Sequence, residues 1–384
     1  MQSFTFQTTQ SVLSEIGATA KIGGLMADRG CRKVAFVTDQ TILDLGLAEA
    51  ALDGLKKAGL EVWKFSEVVA DPPEEMILSA VAEARNQKID GVVSVGGGSS
   101  MDTAKLIAIL ANSEQPLAEM YGVGMVKGDR LPLVLAPTTA GTGSEVTPIS
   151  IVTTGDTEKK GVVSQQLLPD WAVLDAELTV GLPRHVTAAT GIDAMVHAIE
   201  AYTSKLRKNI VSDCLARQAL ELLGANIRTV CFEPNDKEAR GNMLLGSMLA
   251  GMAFANAPVA AVHGLAYPLG GHFHVPHGLS NALVLPYVLE YNMPSAKELY
   301  VELAEIIFPE LSGMSQNQKL DVMLSNFLEL GPEFGLEGKL SEVGVKADDL
   351  DLLADDAMKQ TRLLVNNPRE MTREAAYDIY QKAL

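Results

Sequence analysis

The sequence predicts an α/β N-terminal domain followed by an all-α C-terminal domain. In the first half, short β-branched runs alternate with longer amphipathic stretches, which is typical of βαβ units and a parallel sheet. From about Leu182 onward, segments rich in Ala, Leu, Met and Glu follow one another with few strand-like runs. Gly181-Leu182-Pro183 interrupts the pattern, so we expect domains at residues 1–181 and 182–384 with a cleft between them.

The individual elements of the first half follow from the same periodicity. Four candidate strands are Lys33–Val37, Glu61–Phe65, Gly91–Val95 and Leu133–Leu135. Between them, helical patterns lie near residues 43–58, 74–87 and 101–112. The regular alternation predicts that the strands are parallel and that helices cover the sheet.

Composition and charge restrict the class of protein and its partners. The chain has 384 residues, 47% of them hydrophobic, and a net charge of −17, which suits a globular protein and disfavours nucleic-acid binding. Cys31, Cys214 and Cys231 lack disulfide or zinc spacing, which favours a reducing compartment. We see no secretory signal and no apolar run of membrane-spanning length. These features predict a cytoplasmic protein without a nucleic-acid or membrane partner.

Gly96–Lys105 is a candidate phosphate-binding segment because it lies between a predicted strand and a predicted helix. Three consecutive glycines allow a ligand to approach the backbone, and the helix N-terminus offers free N–H groups to a phosphate. The segment matches neither G-x-G-x-x-G nor G-x-x-x-x-G-K-[ST]. The structural alternative is a tight turn with Ser99 or Ser100 as the helix N-cap.

Ala136–Thr147, the hydroxyl-rich loop, is a second candidate segment, and it also follows an apolar strand. Its four threonines and one serine suit the oxygens of ribose and phosphate. Asp39 follows the strand that begins at Lys33, where a carboxylate would accept a hydrogen bond from a ribose 2′-hydroxyl and repel a 2′-phosphate. NAD is therefore favoured over NADP, the alternative being that Asp39 is only a turn residue.

Histidines are concentrated in one part of the second half. His263, His272, His274 and His277 fall within fifteen residues. Elsewhere, His197 follows Asp193 by four residues in a helical segment, so both side chains project from one face and can chelate one divalent metal. The alternative for any single histidine is an ordinary hydrogen-bonded core or surface residue.

A single ion could bind His263 and His277 together with Asp193 and His197 only if the chain between the two histidines is not one continuous helix. A continuous helix would hold the two histidines roughly 21 Å apart. Gly270-Gly271 and Pro276 are the residues expected to break it. Three neutral imidazoles, one carboxylate and a divalent ion would have a net charge of +1, which suits Fe²⁺ or Zn²⁺.

Taken together, these motifs resemble the iron-dependent (group III) alcohol dehydrogenase family over essentially the whole chain. The resemblance implies a dehydroquinate-synthase-like fold with an α/β dinucleotide-binding domain and an all-α metal-binding domain. It implies an NAD-dependent alcohol dehydrogenase or aldehyde reductase, in which a metal assists hydride transfer between a small alcohol and the nicotinamide. Fe²⁺ is the favoured metal with Zn²⁺ as an option, and a homodimer or larger homo-oligomer is expected.

The resemblance also implies site residues. Metal ligands are Asp193, His197, His263 and His277. Cofactor contacts are Asp39, Asp71, Gly97, Gly98, Ser99, Asp102, Thr138, Thr139, Thr142, Ser144, Thr147, Lys160 and Leu178. Phe254, Tyr267 and His277 form the catalytic pocket. Many relatives have a histidine where this chain has Tyr267; an ordinary tyrosine has a pKa of about 10, against about 6.5 for histidine, so the pH optimum or the substrate is expected to differ.

Two other functions share some of these features. A lyase of the dehydroquinate-synthase type has the same fold, NAD and a metal, and a non-catalytic nucleotide sensor could hold a structural metal. The hydroxyl-rich loop and the Asp193 ligand pattern favour a dehydrogenase over the lyase. Structural zinc sites usually use cysteines, and no cysteine lies near the histidine cluster in the sequence, which disfavours the sensor.

Overall fold

The structure, a computed structural model, describes residues 3–155 and 158–384. The chain forms two compact units. The N-terminal unit is Gln7–Val180; the C-terminal unit is Gly181–Leu384, with which residues 3–6 also group.

The N-terminal unit is built on a six-stranded parallel sheet. Its strands lie in the order β1-β9-β6-β4-β2-β3. A smaller sheet has the order β5-β8-β7, in which β7 and β8 are antiparallel. The strands are β1 (Ser11–Ser14), β2 (Lys33–Val37), β3 (Glu61–Phe65), β4 (Gly91–Gly96), β5 (Gly122–Val123), β6 (Leu133–Pro137), β7 (Ile149–Thr154), β8 (Glu158–Val163) and β9 (Trp171–Leu174).

Helices cover both faces of the six-stranded sheet. They are α1 (Ile22–Asp28), α2 (Gln40–Asp44), α3 (Glu49–Lys57), α4 (Glu74–Gln87) and α5 (Gly98–Leu110). Successive residues of β2 alternate between two buried clusters: Val34 and Phe36 pack in one, and Ala35 and Val37 pack in the other. This period of two arises from the pleat, and it explains why a strand buried on both faces consists of apolar residues without interruption.

All four predicted strands are present, and the predicted fold class is confirmed. The helix predicted near residues 43–58 is instead two helices, α2 and α3, because Gly46 adopts φ 72 between them. A positive φ ends a helix, and glycine adopts it without a Cβ clash. The helix predicted from residue 101 begins earlier, at Gly98. Periodicity missed β1, β5, β7, β8 and β9, most of which are short or partly exposed.

In its described part, the C-terminal unit is helical and holds no strand. Its helices are α6 (Arg184–Thr203), α7 (Ile210–Phe232), α8 (Lys237–Asn256), α9 (Ala261–Phe273), α10 (His277–Ile307), α11 (Gln316–Glu333), α12 (Leu350–Ala357), α13 (Thr361–Leu364) and α14 (Arg373–Ala383). Helix α6 is buried along most of its length and packs against α7, α8 and α10. The polar side chains along this buried length therefore lie among the neighbouring helices.

Among the described helices, no single one has the length and apolar composition needed to cross a membrane. Helices α8 and α9 meet the length and composition criteria only when taken as a pair, and the two are bent by 105°.

Candidate metal and dinucleotide sites

Three helices of the C-terminal unit bring four potential metal ligands together. Asp193 and His197 lie one turn apart on α6, His263 lies on α9, and His277 is the first residue of α10. One ligand atom from each of the four lies within 4.8 Å of the other three. The His277 side chain is 43% exposed, whereas the other three are buried, so the cluster opens on one side only. Imidazole nitrogens with one carboxylate suit a divalent transition metal.

The chain reverses between His263 and His277 because the helix is interrupted, as the sequence predicts. Helix α9 ends at Phe273, His274 is left-handed with φ 55, and Pro276 is the N-cap of α10. The prediction that Gly270-Gly271 breaks the helix is wrong, since both glycines lie inside α9. The physical cause of the break is the left-handed C-cap followed by a proline, which has no N–H to continue a helix.

The other two clustered histidines lie outside this group. His272 Nε2 is 3.1 Å from Asp356 Oδ2, a residue of α12. His274 is the exposed C-cap of α9. Proximity in sequence therefore overstates the number of histidines in the cluster.

Asp193 is held by an amide from α10. Asn281 Nδ2 donates to Asp193 Oδ1 at 2.6 Å and lies 3.3 Å from Nε2 of both His263 and His277. Burial acts to raise the pKa of Asp193, but the nearby imidazoles and the Asn281 amide outweigh burial and hold that pKa below its usual value. Asn281 Oδ1 is buried and accepts no hydrogen bond from any described residue. The donor set of one carboxylate and three imidazoles fits a divalent cation.

Two aromatic rings border the cluster. Phe254, on α8, stacks on His197 with ring centroids 4.3 Å apart and planes 19° apart. Tyr267 lies one turn after His263 on α9, and its ring centroid is 6.0 Å from that of His277. The ring of Phe254 shields one face of His197, and Tyr267 brings a phenol to the partly open side beside His277.

In the N-terminal unit, the turn between β4 and α5 forms a potential phosphate site. Gly97 is the N-cap of α5, and no side chain caps this end. The first N–H groups of the helix therefore have no intrahelical partner and can bind an anion. A Cβ on Gly98 would lie 2.8 Å from Thr142 Cγ2, so this turn and the hydroxyl-rich loop are in direct contact.

Lys105 links α5 to the hydroxyl-rich loop from inside the protein. Its side chain is fully buried, and Nζ donates to Ser144 Oγ and to the Ile149 carbonyl, each at 2.7 Å. Asp102 accepts from Ser144 Oγ at 2.6 Å and from Ile151 N at 2.8 Å. Lys105 Nζ also lies 3.4 Å from Thr147 Oγ1. This buried network fixes the loop to the helix.

The positions predicted to contact the cofactor fall into two sets. The first set occupies the turn and the loop: Gly97, Gly98, Ser99, Asp102, Thr138, Thr139, Thr142, Ser144 and Thr147. Asp39 lies just beyond β2, which pairs with β4, so it stands at the same edge of the sheet as the turn. The carboxyl ends of parallel strands are where such sheets bind ligands.

The second set consists of three positions that lie outside the turn and the loop. Asp71 has φ 53, and its carboxylate pairs with Lys159 at 2.6 Å. Lys160 pairs with Glu158 at 3.1 Å. Leu178 is buried in the core cluster that includes Phe36.

Sequence reasoning assigned no individual role to four buried polar residues of these segments and helices: Lys105, Glu145, Glu200 and Asn281. Glu145 follows Ser144, and burial raises its pKa to about 7 against the opposing charge of Lys105. Each of the four lies in a segment whose neighbours are largely apolar or small. A charged or amide residue on the buried face of such a segment is the signal that could have found them.

Comparison with known proteins identifies the family. Residues 9–176 match the iron-containing alcohol dehydrogenase family, and residues 187–384 match the C-terminal domain of the Fe-containing alcohol dehydrogenase family. The chain is 39% identical to long-chain-alcohol dehydrogenase 1 of Geobacillus thermodenitrificans, over 92% of this chain and 90% of that one. It is 35% identical to sulfoacetaldehyde reductase of Bilophila wadsworthia, over 97% of each.

A solved structure extends the comparison to three dimensions. The crystal structure of a 1,3-propanediol oxidoreductase superposes with a TM-score of 0.96 at 33% identity, covering 100% of both chains. The chain therefore belongs to the iron-containing alcohol dehydrogenase family. It is an oxidoreductase acting on CH–OH groups, with a metal and an NAD-type cofactor, and this function is supported over the lyase and sensor alternatives.

Proposed function

We propose that the protein interconverts a small alcohol and its aldehyde with NAD at a metal held by Asp193, His197, His263 and His277. The observation that supports this most directly is the convergence of one carboxylate and three imidazoles within 4.8 Å. When bound, the metal supplies Lewis-acid polarisation of the alcohol oxygen, and the nicotinamide supplies the hydride acceptor. Fe²⁺ is the proposed metal, on the basis of the family, and Zn²⁺ satisfies the same ligands.

The residues around the metal ligands have separate proposed roles. As the Tyr267 hydroxyl accepts the proton that leaves the alcohol, it releases its own proton to water. Phe254 covers the ring of His197 and keeps water from that face, which strengthens electrostatic interactions in the pocket. His277, the most exposed ligand, borders the substrate. Tyr267→Phe tests the relay: it should lower kcat and shift the pH profile while leaving the bound metal in place.

The N-terminal unit is the proposed site of the dinucleotide. The pyrophosphate is expected at the uncapped N-terminus of α5, beside Gly97, Gly98 and Ser99, with hydroxyls of Thr138, Thr139 and Thr142 near its oxygens. Asp102, Ser144 and Thr147 act on this surface through the network around Lys105. Asp39 is proposed to receive the adenosine ribose and to favour NAD over NADP. Asp71, Lys160 and Leu178 complete the proposed contacts.

The proposal includes a cytoplasmic location and a homo-oligomeric state. The three cysteines are free thiols, which suits a reducing compartment. The oligomeric state rests on the family resemblance, and sedimentation of the purified protein measures it.

One pair of variants tests the metal role. His263→Ala should abolish NADH formation from a panel of short alcohols while leaving NAD binding, measured by fluorescence titration, unchanged. His272→Ala is the matched control, because that ring pairs with Asp356 outside the cluster and its loss should leave turnover intact. Wild-type turnover by His263→Ala would contradict the proposal. Elemental analysis of protein purified without oxygen or chelator identifies the metal.

A further inference from the structure

Glu200 lies on the same face of α6 as two of the proposed metal ligands but is not one of them. It follows Asp193 by seven residues and His197 by three, so all three project toward one side of the helix. Its side chain is 4% exposed. Oε2 is 2.7 Å from His263 Nδ1, and Oε1 accepts a hydrogen bond from the Val262 backbone N–H at 2.6 Å.

The contact between Glu200 and His263 Nδ1 bears on which nitrogen of the His263 ring carries the hydrogen. An ionised Glu200 carboxylate can only accept, so in that state His263 Nδ1 donates to it. The other ring nitrogen, Nε2, then presents its lone pair on the side of Asp193, whose Oδ1 is 3.8 Å away. In the second contact, Glu200 Oε1 accepts from the Val262 backbone N–H near the start of α9, where the N-cap residue provides no side-chain acceptor. This hydrogen bond holds the Glu200 carboxylate in place.

The charge balance of the cluster also depends on Glu200. Three neutral imidazoles, Asp193 and a divalent ion have a net charge of +1, and adding the Glu200 carboxylate brings it to 0. Among the described residues, no lysine or arginine lies within ion-pair distance of Glu200. A buried carboxylate without a cation is costly. A divalent ion bound through His263 would compensate that charge.

We propose that Glu200 is a positioning residue for the metal centre: it fixes the His263 tautomer whose Nε2 faces the metal and neutralises the buried cluster. This inference rests on the proposed metal ligands. Carboxylates that accept from a ligating histidine orient the ring and raise its basicity, and their loss typically weakens metal binding about 10- to 100-fold.

Glu200→Gln is the sharpest test because it keeps the shape of the side chain. If the Gln oxygen accepts from Val262 N–H, its amide nitrogen faces His263 Nδ1 and donates to it, which forces the hydrogen onto Nε2. That hydrogen points toward the metal position and must leave before metal binds. We expect Co²⁺ affinity, measured by visible absorption in competition with a chelator, to fall at least about 10-fold. In the metal-free protein, ¹⁵N NMR should report a hydrogen on His263 Nδ1 in the wild type and on Nε2 in the variant.

Thr203→Val is the matched control on the same helix. The buried Thr203 hydroxyl donates to the Ile199 carbonyl at 2.9 Å, so its loss perturbs α6 without touching the ligands. It should leave Co²⁺ affinity and the His263 tautomer unchanged. The inference would be overturned if the Glu200→Gln variant bound Co²⁺ as tightly as the wild type and its His263 still bore the hydrogen on Nδ1. Wild-type protein that binds no Co²⁺ would instead overturn the proposed metal site.

Discussion

Asp39 combines two roles that a single substitution can separate. Its Oδ1 accepts from the Ile42 backbone N–H at 3.1 Å and caps α2, while its charge stands at the carboxyl edge of the sheet. Asn caps a helix as well as Asp does but has no charge. Asp39 can therefore act both as a structural residue that caps α2 and as the proposed residue that favours NAD over NADP.

Asp39→Asn should relax cofactor selectivity without a loss of stability. Removing the negative charge relieves repulsion of a 2′-phosphate, so we expect kcat/KM with NADP to rise about tenfold, equivalent to about 1.4 kcal/mol. The free energy of unfolding should change by less than about 0.5 kcal/mol, whereas Asp39→Ala should lower it by about 1 kcal/mol through loss of the cap. Unchanged NADP kinetics in Asp39→Asn would exclude the specificity role.

Glu145 makes stability depend on pH in an identifiable window. Burial raises its folded-state pKa to about 7, above the value of 4.5 for an unperturbed glutamate. The folded protein therefore retains this proton at pH values where the unfolded chain has lost it. The contribution of this bound proton to the free energy of unfolding is fully present below pH 4.5 and is lost as the pH rises through 7.

The Glu145→Gln variant should remove that dependence. Relative to the wild type, its free energy of unfolding should increase with pH by up to about 1.4 kcal/mol per pH unit across the window. Urea denaturation of both proteins at several pH values between 4.5 and 8 measures the difference. Parallel pH profiles for the two proteins would show that Glu145 does not retain a proton in the folded state.

The contact between α6 and α10 sets the position of His277. Gly278, the next residue, lies so close to α6 that a Cβ there would be 2.4 Å from the Ala189 carbonyl oxygen. Ala189 precedes Asp193 by one turn on α6. The close approach of the two helix backbones at this glycine therefore holds two of the proposed ligands within reach of each other.

Gly278→Ala should push α10 away from α6 and weaken metal binding. We expect a loss of about 1–3 kcal/mol in stability from overpacking, together with reduced Co²⁺ affinity. Gly270→Ala is the control, since a Cβ there meets only the Val275 carbonyl oxygen, at an ordinary contact distance of 3.6 Å. It should be neutral or stabilise by up to about 1 kcal/mol. Urea denaturation and metal titration check both variants, and equal effects would refute the packing argument.

At the scale of the whole molecule, the proposed metal-binding residues belong to the C-terminal unit and the proposed pyrophosphate site belongs to the N-terminal unit. Hydrogen exchange should therefore slow in α6, α9 and α10 when metal is added, and around the β4–α5 turn and the hydroxyl-rich loop when NAD is added. At 100 times the dissociation constant, a ligand stabilises its bound form by about 2.7 kcal/mol, equivalent to about 100-fold slower exchange through opening.

His263→Ala serves as the control in that exchange experiment. It should lose the protection by metal and retain the protection by NAD. Metal protection that persists in the variant would argue for a different metal site, and NAD protection absent from residues 96–105 and 136–147 would argue against the proposed dinucleotide site.

The sequence by itself determined the fold class, four of the six strands of the parallel sheet and the candidate metal residues. Strands such as β4 are largely apolar because they are buried on both faces, and Asp193 and His197 are paired by a local helical period. These signals are local, so a single sequence contains them. The interruption before His277 was also predictable, since Pro276 cannot continue a helix.

The tertiary structure decided what depends on distant segments. Nothing near Gly46 in the sequence marks it as the left-handed break between α2 and α3, and the break falls at His274 rather than at Gly270-Gly271. Lys105 meets Ser144, and Glu200 meets His263, across 39 and 63 residues of chain. A buried charge is tolerated only where folding supplies its partners, and those partners are set by packing rather than by local spacing.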